Sequence, residues 1–200
     1  MIESLEHRVR AALADGGLVL TVLAGSNGAG KSTFYGRYLR LLGLPFVNAD
    51  EIAKVLRPQS PESIAYEAMH VAEALRKDLI LRKESFCMET VLSDTQGSKI
   101  GFFRDAQAAG FELLFIWIRL DSPALSQARV QQRVLRGGHH VPDDKLIQRF
   151  PRTHANAIEA LKIADFGLVL DNSSVDEPYR VVETWHAGRC IERNSTKAPP

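Results

Sequence analysis

Along the chain, short apolar runs alternate with longer amphipathic stretches. Leu18 to Ala24 is a continuous run of leucine and β-branched residues, the pattern of a strand buried on both faces. Phe46-Val47-Asn48, Ser85 to Met88, Phe111 to Ile118 and Phe166 to Leu170 repeat that pattern. Helical stretches lie between them. Residues 2–14 put Leu5, Val9, Ala12 and Leu13 on one face before Gly16-Gly17 stops them, and residues 33–42 end at Gly43 and Pro45. Residues 61–83 open with Pro61 and align Ile64, Ala68, Val71 and Leu75, and further helices are predicted over 95–109, 123–135 and 177–187. Residues 143–163 are helical in pattern, with Pro151 predicting a kink or split. Asn194 to Pro200 reads as a disordered polar tail. Strands apolar on both faces that alternate with helices predict an α/β fold. The expected architecture is one domain over 1–193, a three-layer sandwich with a mostly parallel sheet of about five strands.

Composition narrows the function more than the fold. With 200 residues, 45% of them hydrophobic, there is material for one core. The net charge of +1 gives no bulk field for nucleic acid or an anionic membrane. With only 8% aromatics, a base-stacking groove for a nucleic-acid-end kinase is disfavoured. Two cysteines, Cys87 and Cys190, fit a reducing cytoplasm. The first residues lack the apolar core of a signal peptide, and no apolar run is long enough to span a bilayer. A cytoplasmic location is therefore expected. Cys87 reads as a packed strand residue rather than a nucleophile.

The chemistry begins after the first strand. Gly25-Ser26-Asn27-Gly28-Ala29-Gly30-Lys31-Ser32 matches G-x-x-x-x-G-K-[ST], with an apolar strand before it and a helix starting near Thr33. Gly25, Gly28 and Gly30 let the backbone curl around phosphates, the loop amides form an anion nest, and the helix adds its positive end. Lys31 then reaches the β- and γ-phosphates and Ser32 offers a hydroxyl to Mg²⁺. The fold is thus a P-loop NTPase sandwich with ATP and Mg²⁺ as cofactors, and residues 25–33 are the nucleotide contacts.

Strand ends place further candidates on the same rim. Asp50 follows the second strand and can accept a proton from an attacking hydroxyl, join the metal shell, or only cap the next helix. Glu89 and Thr90 follow the third strand; Glu89 can bind substrate hydroxyls or serve the outer shell of the metal. Asp121, before Ser122-Pro123, reads as a helix cap rather than a second metal aspartate. Between 119 and 152 lie Arg119, Arg129, Arg133, Arg136, Arg149 and Arg152. Arg129, Arg133 and Arg136 can share a helix face. A helical lid over about 129–152 is expected, bringing arginines to the transferred phosphoryl, where one is worth roughly 10³–10⁵ in rate. His139-His140 reads as a solvated loop or a substrate contact rather than a metal site.

Four segments, LAGSNGAGKST (23–33), FVNADEIA (46–53), FCMETVLS (86–93) and RVLRGGHHVPDDKLIQRF (133–150), with ADFGLVLDNS at 164–173, give the chain its likeness to a known group. It resembles the zeta-toxin family of P-loop small-molecule kinases, particularly the short single-domain members. The resemblance implies transfer of the γ-phosphate to a hydroxyl of a nucleotide sugar such as UDP-N-acetylglucosamine. It implies Lys31 and Ser32 on phosphate and Mg²⁺, Asp50 as base, and Glu89 and Thr90 on the nucleotide sugar. It implies Arg133 and Arg149 as lid arginines with Arg136 as substitute, and Asp171-Asn172 near the base of the nucleotide. An antitoxin protein is the implied partner. A nucleotide-dependent switch acting through a protein partner is the alternative, although the transporter signature LSGGQ is absent.

Overall fold

A computed structural model describes residues 2–137 and 141–194, with the side chains of residues 2–4 left out of the description. A seven-stranded sheet in the order β2-β3-β1-β4-β5-β6-β7 forms its centre. The strands are β1 (Leu18–Ala24), β2 (Phe46–Val47), β3 (Phe86–Thr90), β4 (Phe111–Arg119), β5 (Phe166–Asp171), β6 (Arg180–His186) and β7 (Arg189–Arg193). The first five are mutually parallel, as the two-sided apolar runs predict. The sheet grows from β1 in both directions, so the carboxyl end of β1, between β3 and β4, is the topological switch point where open α/β sheets bind ligands.

The helices are α1 (Ile2–Ala14), α2 (Lys31–Phe34), α3 (Ala49–Leu56), α4 (Ala65–Leu81), α5 (Ser98–Ala108), α6 (Pro123–Leu135) and α7 (Asp143–Ile163). After α2 the chain stays helical through a π turn at Tyr35–Leu39 and a 3₁₀ turn at Arg40–Leu42. Strand periodicity sorts the core onto two faces. Leu20, Val22, Leu113 and Phe115 meet Ala72 and Leu79 of α4, Phe103 of α5 and Ala160 of α7 on one face. Val19, Leu23, Leu114 and Ile116 meet Leu5 and Val9 of α1 and Phe34 of α2 on the other. The amino-terminal helix is thus part of the core, tied also by Arg8 to Glu112. A separate cluster of Val130, Val141 and Leu146 joins α6 to α7, giving the lid segment an apolar contact of its own.

Several sequence expectations change. The sheet has seven strands rather than five, because residues 177–187 are not a helix. Val182 and Thr184 alternate inward on β6, and Ala187-Gly188 (φ +46° and +72°) turns the chain into β7. Two left-handed residues suit the tight connection of an antiparallel hairpin. Asn194 follows β7 and is tied to the sheet, donating to the Val182 carbonyl from its backbone N–H and to the Val181 carbonyl from Nδ2, and the rest of the expected tail, 195–200, lies outside the described residues. Pro151 does not split α7, which runs through it. Pro151 and Ile147, whose carbonyl it leaves without a helical partner, both face solvent. Finally, α4 begins after a 3₁₀ turn at Pro61–Ile64, and its buried face is Ala68, Ala72, Arg76 and Leu79 rather than the stripe through Val71 and Leu75. Val71 and Leu75 are exposed. Among the described residues, no helix is long and apolar enough to cross a membrane.

Candidate active site at the switch point

The loop between β1 and α2 is held from three directions. Asn172, at the end of β5, donates from Nδ2 to the Ala29 carbonyl (2.9 Å) and accepts the Tyr179 N–H on Oδ1 (3.3 Å). Tyr179 Oη donates to the Gly30 carbonyl (2.9 Å), and Ser126 Oγ of α6 donates to the Asn27 carbonyl (2.6 Å). These contacts explain the glycines as well as backbone freedom does. A Cβ at Gly30 (φ +91°) would fall 2.7 Å from Asn172 Nδ2, and one at Gly25 would fall 2.4 Å from the Ile118 carbonyl oxygen. Asn172 therefore braces the loop with its Nδ2 and holds Tyr179, a second brace, with its Oδ1, while also lining the cavity above the loop.

Lys31 Nζ folds back on its own loop, donating to the Gly25 (3.0 Å) and Ser26 (3.1 Å) carbonyls, with Glu89 Oε1 at 3.6 Å. Burial pulls its pKa below the ordinary lysine value; Glu89 and Asp50 oppose that shift and Arg133 adds to it. Glu89 joins three elements. Its Oε2 accepts from Ser32 Oγ (3.0 Å) and from Asn48 Nδ2 (3.0 Å). Asn48 also caps α3, accepting the N–H groups of Asp50 (2.8 Å) and Glu51 (3.4 Å) on Oδ1. The cap is therefore Asn48 and not Asp50, whose carboxylate is free of that duty at the first turn of α3. At the end of β4 the same correction applies: Ser122 Oγ caps α6 by accepting the Leu125 N–H, and Asp121 is exposed beside Arg119. Thr90 Oγ1 accepts the Leu92 N–H and so shapes the turn after β3. Cys87 is buried, and burial raises its thiol pKa well above the ordinary value, consistent with a packing residue.

Two cavities meet here. One, of about 650 Å³, lies over the phosphate loop and is lined by Asn27, Gly28, Gly30, Lys31, Ser32 and Thr33 below and by Arg129, Arg133 and Arg136 of the lid above. The other, of about 540 Å³, extends from Asn48 and Thr90 toward α4, α5 and α7 and contains Arg149 and Arg152. Asp50 and Glu89 line both. The lid arginines are thus divided: α6 serves the loop cavity, and α7 serves its neighbour. Gly138, His139 and His140 lie outside the described residues. Sequence reading missed Asn48, Ser126 and Tyr179. Only Asn48, an Asn two residues before Asp50 at a helix start, left a signal that could have found it.

The donor set fits a magnesium ion. No group of three or more His, Cys, Asp or Glu side chains converges among the described residues. A hydroxyl and a carboxylate do meet at Ser32 and Glu89, the few hard oxygens that suffice for an ion otherwise held by phosphates and water.

Comparison with known proteins agrees with this geometry. The AAA domain family matches residues 20–154. An uncharacterized protein of Haemophilus influenzae is 29% identical over 126 residues, 63% of this chain and 88% of that protein. Among solved structures, the AvrRxo1-ORF1:-ORF2 complex with ATP superposes with a TM-score of 0.70 at 18% identity, covering 94% of this chain and 67% of that one. The PezAT chromosomal toxin-antitoxin system of Streptococcus pneumoniae gives a TM-score of 0.58 at 18% identity, covering 98% and 83%. These likenesses are of fold, and at that level they bear out the resemblance to zeta-toxin P-loop kinases and the P-loop α/β sandwich.

Proposed function

The chain belongs to the AAA domain family, and from that premise we propose that it is an ATP-dependent kinase that transfers the γ-phosphate to a hydroxyl of a small molecule, a nucleotide sugar such as UDP-N-acetylglucosamine being the first acceptor to try. The observation that carries this reading is the sharing of Asp50 and Glu89 between the loop cavity and its neighbour. A phosphotransferase needs such a junction: a donor site and an acceptor site that open on one carboxylate. An ATPase switch needs only the first.

In this mechanism the loop amides and Lys31 hold the β- and γ-phosphates, and Lys31 leaves its resting bonds to Gly25 and Ser26 to do so. Ser32 and Glu89 would hold magnesium, which supplies charge neutralisation on the phosphate oxygens. Asp50 orients the acceptor hydroxyl and takes its proton as the new O–P bond forms and the bond from the γ-phosphorus to the β-phosphate oxygen breaks, releasing ADP. Arg133, with Arg129 and Arg136 beside it, faces the phosphoryl group during transfer. Arg149 and Thr90 contact the acceptor. A cytoplasmic location and a neutralising protein partner belong to the same reading, since the AvrRxo1 and PezAT structures are of two-protein systems.

The test is a screen of hydroxylated metabolites, nucleotide sugars first, with labelled ATP and mass detection of the product. Incorporation that is lost in Lys31→Ala supports the kinase. ATP hydrolysis with no acceptor in the whole panel would favour the switch. Growth arrest on expression of the wild type but not of Lys31→Ala checks the toxin part.

A further inference from the structure

One wall of the acceptor cavity, the cavity of about 540 Å³, is the segment that leaves β3 on its way to α5. Thr90, Val91, Leu92 and Asp94 line it, and Val91, like Asp50 and Glu89, lines the loop cavity as well. Leu92 has φ +57° and is 1% exposed. That left-handed conformation is rare for a bulky residue and persists only where the surroundings fix it. Glycine would adopt it freely but could not fill the place that Leu92 takes on the core face of Leu20 and Phe115.

The contacts that fix this wall come largely from α7. Within the segment, Thr90 Oγ1 accepts the Leu92 N–H (3.0 Å). From α7, Thr153 Oγ1 donates to the Val91 carbonyl (2.8 Å), and Asn156 Nδ2 donates to the carbonyls of Leu92 (3.0 Å) and Asp94 (2.9 Å). Thr153 is fully buried. Threonine and asparagine are poor choices for a helix interior on propensity, since they compete for nearby backbone groups. Here both are aimed at another element. Three apart, they share a helix face, and Arg149 and Arg152 stand three or four positions before them on that face and line the cavity itself. The pair also sits where α7 changes surroundings: Leu146 packs in the lid cluster, whereas Ala157, Ala160 and Leu161 pack in the core.

We propose that Thr153 and Asn156 are positioning residues for the acceptor: they clamp Val91 to Asp94 against α7, so that the acceptor wall and the arginines of α7 keep one fixed spacing. This rests on the phosphotransfer reading of the site. The two side chains act through the wall rather than on the acceptor, which meets Val91, Leu92 and the α7 arginines. A loosened wall admits the acceptor in many poses, and only a pose with its hydroxyl beside Asp50 leads to transfer. The phosphate loop has its own braces in Asn172, Tyr179 and Ser126, so donor binding is independent of the clamp.

The clamp and the reaction are read separately, on the full chain. Hydrogen exchange with mass detection follows the peptide over residues 90–97 in Thr153→Val, Thr153→Ser and Asn156→Leu. Thr153→Val keeps the shape and loses the hydroxyl, whereas Thr153→Ser keeps the hydroxyl. Exchange should quicken about 2- to 10-fold in Thr153→Val, the scale of one net hydrogen bond, and further in Asn156→Leu, which loses two. Thr153→Ser should exchange like wild type, and so should the peptide over 25–33 in every variant. With the acceptor found by the screen, the acceptor KM should rise about tenfold in Thr153→Val and Asn156→Leu and recover in Thr153→Ser, with the KM for ATP unchanged. Mere loss of folded protein would lower kcat and leave KM alone. If Thr153→Val fails to fold, Asn156→Leu decides, since Asn156 is only partly buried. Unchanged exchange overturns the clamp, whatever the reaction does. Faster exchange with an unchanged acceptor KM reduces the pair to a structural role and sinks the proposal while the kinase stands. ATP hydrolysis by the wild type with no transfer to any acceptor sinks the kinase, and the acceptor role with it.

Discussion

The loop cavity and the acceptor cavity share a wall yet are built on different terms. In the first, the loop backbone is braced by the protein itself: loop carbonyls take bonds from Asn172, Tyr179, Ser126 and Lys31, and Lys31 lies beside Glu89, while the side-chain oxygens Ser26 Oγ and Asn27 Oδ1 have no partner among the described residues. In the second, Arg76 is 5% exposed with the charge of Glu73 nearby, and Arg152 Nε and Asp94 Oδ1 have no hydrogen-bond partner among the described residues. A site braced in this way holds its shape before a ligand arrives, which suits a generic donor. A site walled by charged side chains of both signs gains more from a ligand that pairs with them, which suits a specific one. The two halves should therefore respond differently to substitution.

The largest effect is expected from Lys31→Ala. It removes the cation that must exchange loop carbonyls for phosphate oxygens, and transfer should fall roughly 10³–10⁵-fold, the scale of charge stabilisation on a transferring phosphoryl group. Calorimetry should show weaker ATP binding, while the acceptor half keeps its affinity for an identified acceptor. If both affinities fall together, the two cavities are not separable.

Asp50→Asn comes next, with a loss of roughly 10²–10⁴-fold in kcat for a missing general base. Because Asn48 carries the helix cap, the melting temperature should stay put, and Asn48→Ala should show the converse, a cost of about 1 kcal/mol. Normal turnover of Asp50→Asn on an identified acceptor would move the base to Glu89.

The lid sharpens the contrast within one segment. Arg133→Ala should lower kcat by roughly 10²-fold, as the loss of one oxyanion-hole donor does, and leave the acceptor KM alone. Arg149→Ala should do the reverse and raise the acceptor KM about tenfold. Identical kinetic signatures would mean that the division of lid arginines between the two cavities has no functional counterpart.

The sequence exposes one half of this comparison far better than the other. Local rules act over a few residues: the glycine pattern before Lys31, the apolar run of β1 and the strand-end carboxylates all lie within a short window, so the donor site and the parallel sheet can be read directly. Arg76 cannot, because helical periodicity alone fits two stripes on α4, and the stripe through Val71 and Leu75 has the more apolar residues. Only the position of the sheet turns Ala68, Ala72 and Arg76 inward. The β6–β7 hairpin was hidden for a related reason, since Ala187-Gly188 reads equally as a helix end. Asn172 and Tyr179 act on the loop from 143 and 149 residues away, a separation no local pattern spans.

The smallest predicted effect tests the bracing itself. Tyr179→Phe deletes one hydroxyl and keeps the ring, which packs edge-on to Phe34 at 5.2 Å between centroids. The Gly30 carbonyl that loses the hydroxyl still accepts the Phe34 N–H at 2.9 Å, so no buried acceptor is orphaned. The cost should be that of one net hydrogen bond, about 0.5–1.5 kcal/mol, or roughly 1–6 °C in melting temperature for a chain of this size. If the donor half is preformed by these braces, the lost bond should weaken ATP binding by no more than about tenfold, because Asn172 and Ser126 still hold the loop. Asn172→Ala, which removes two bonds and leaves the Ala29 carbonyl without that partner, should cost more on both measures. Affinity for an identified acceptor should not change in either variant. A change there would show that bracing of the loop extends through Glu89 into the second cavity, and that the two halves are one mechanical unit.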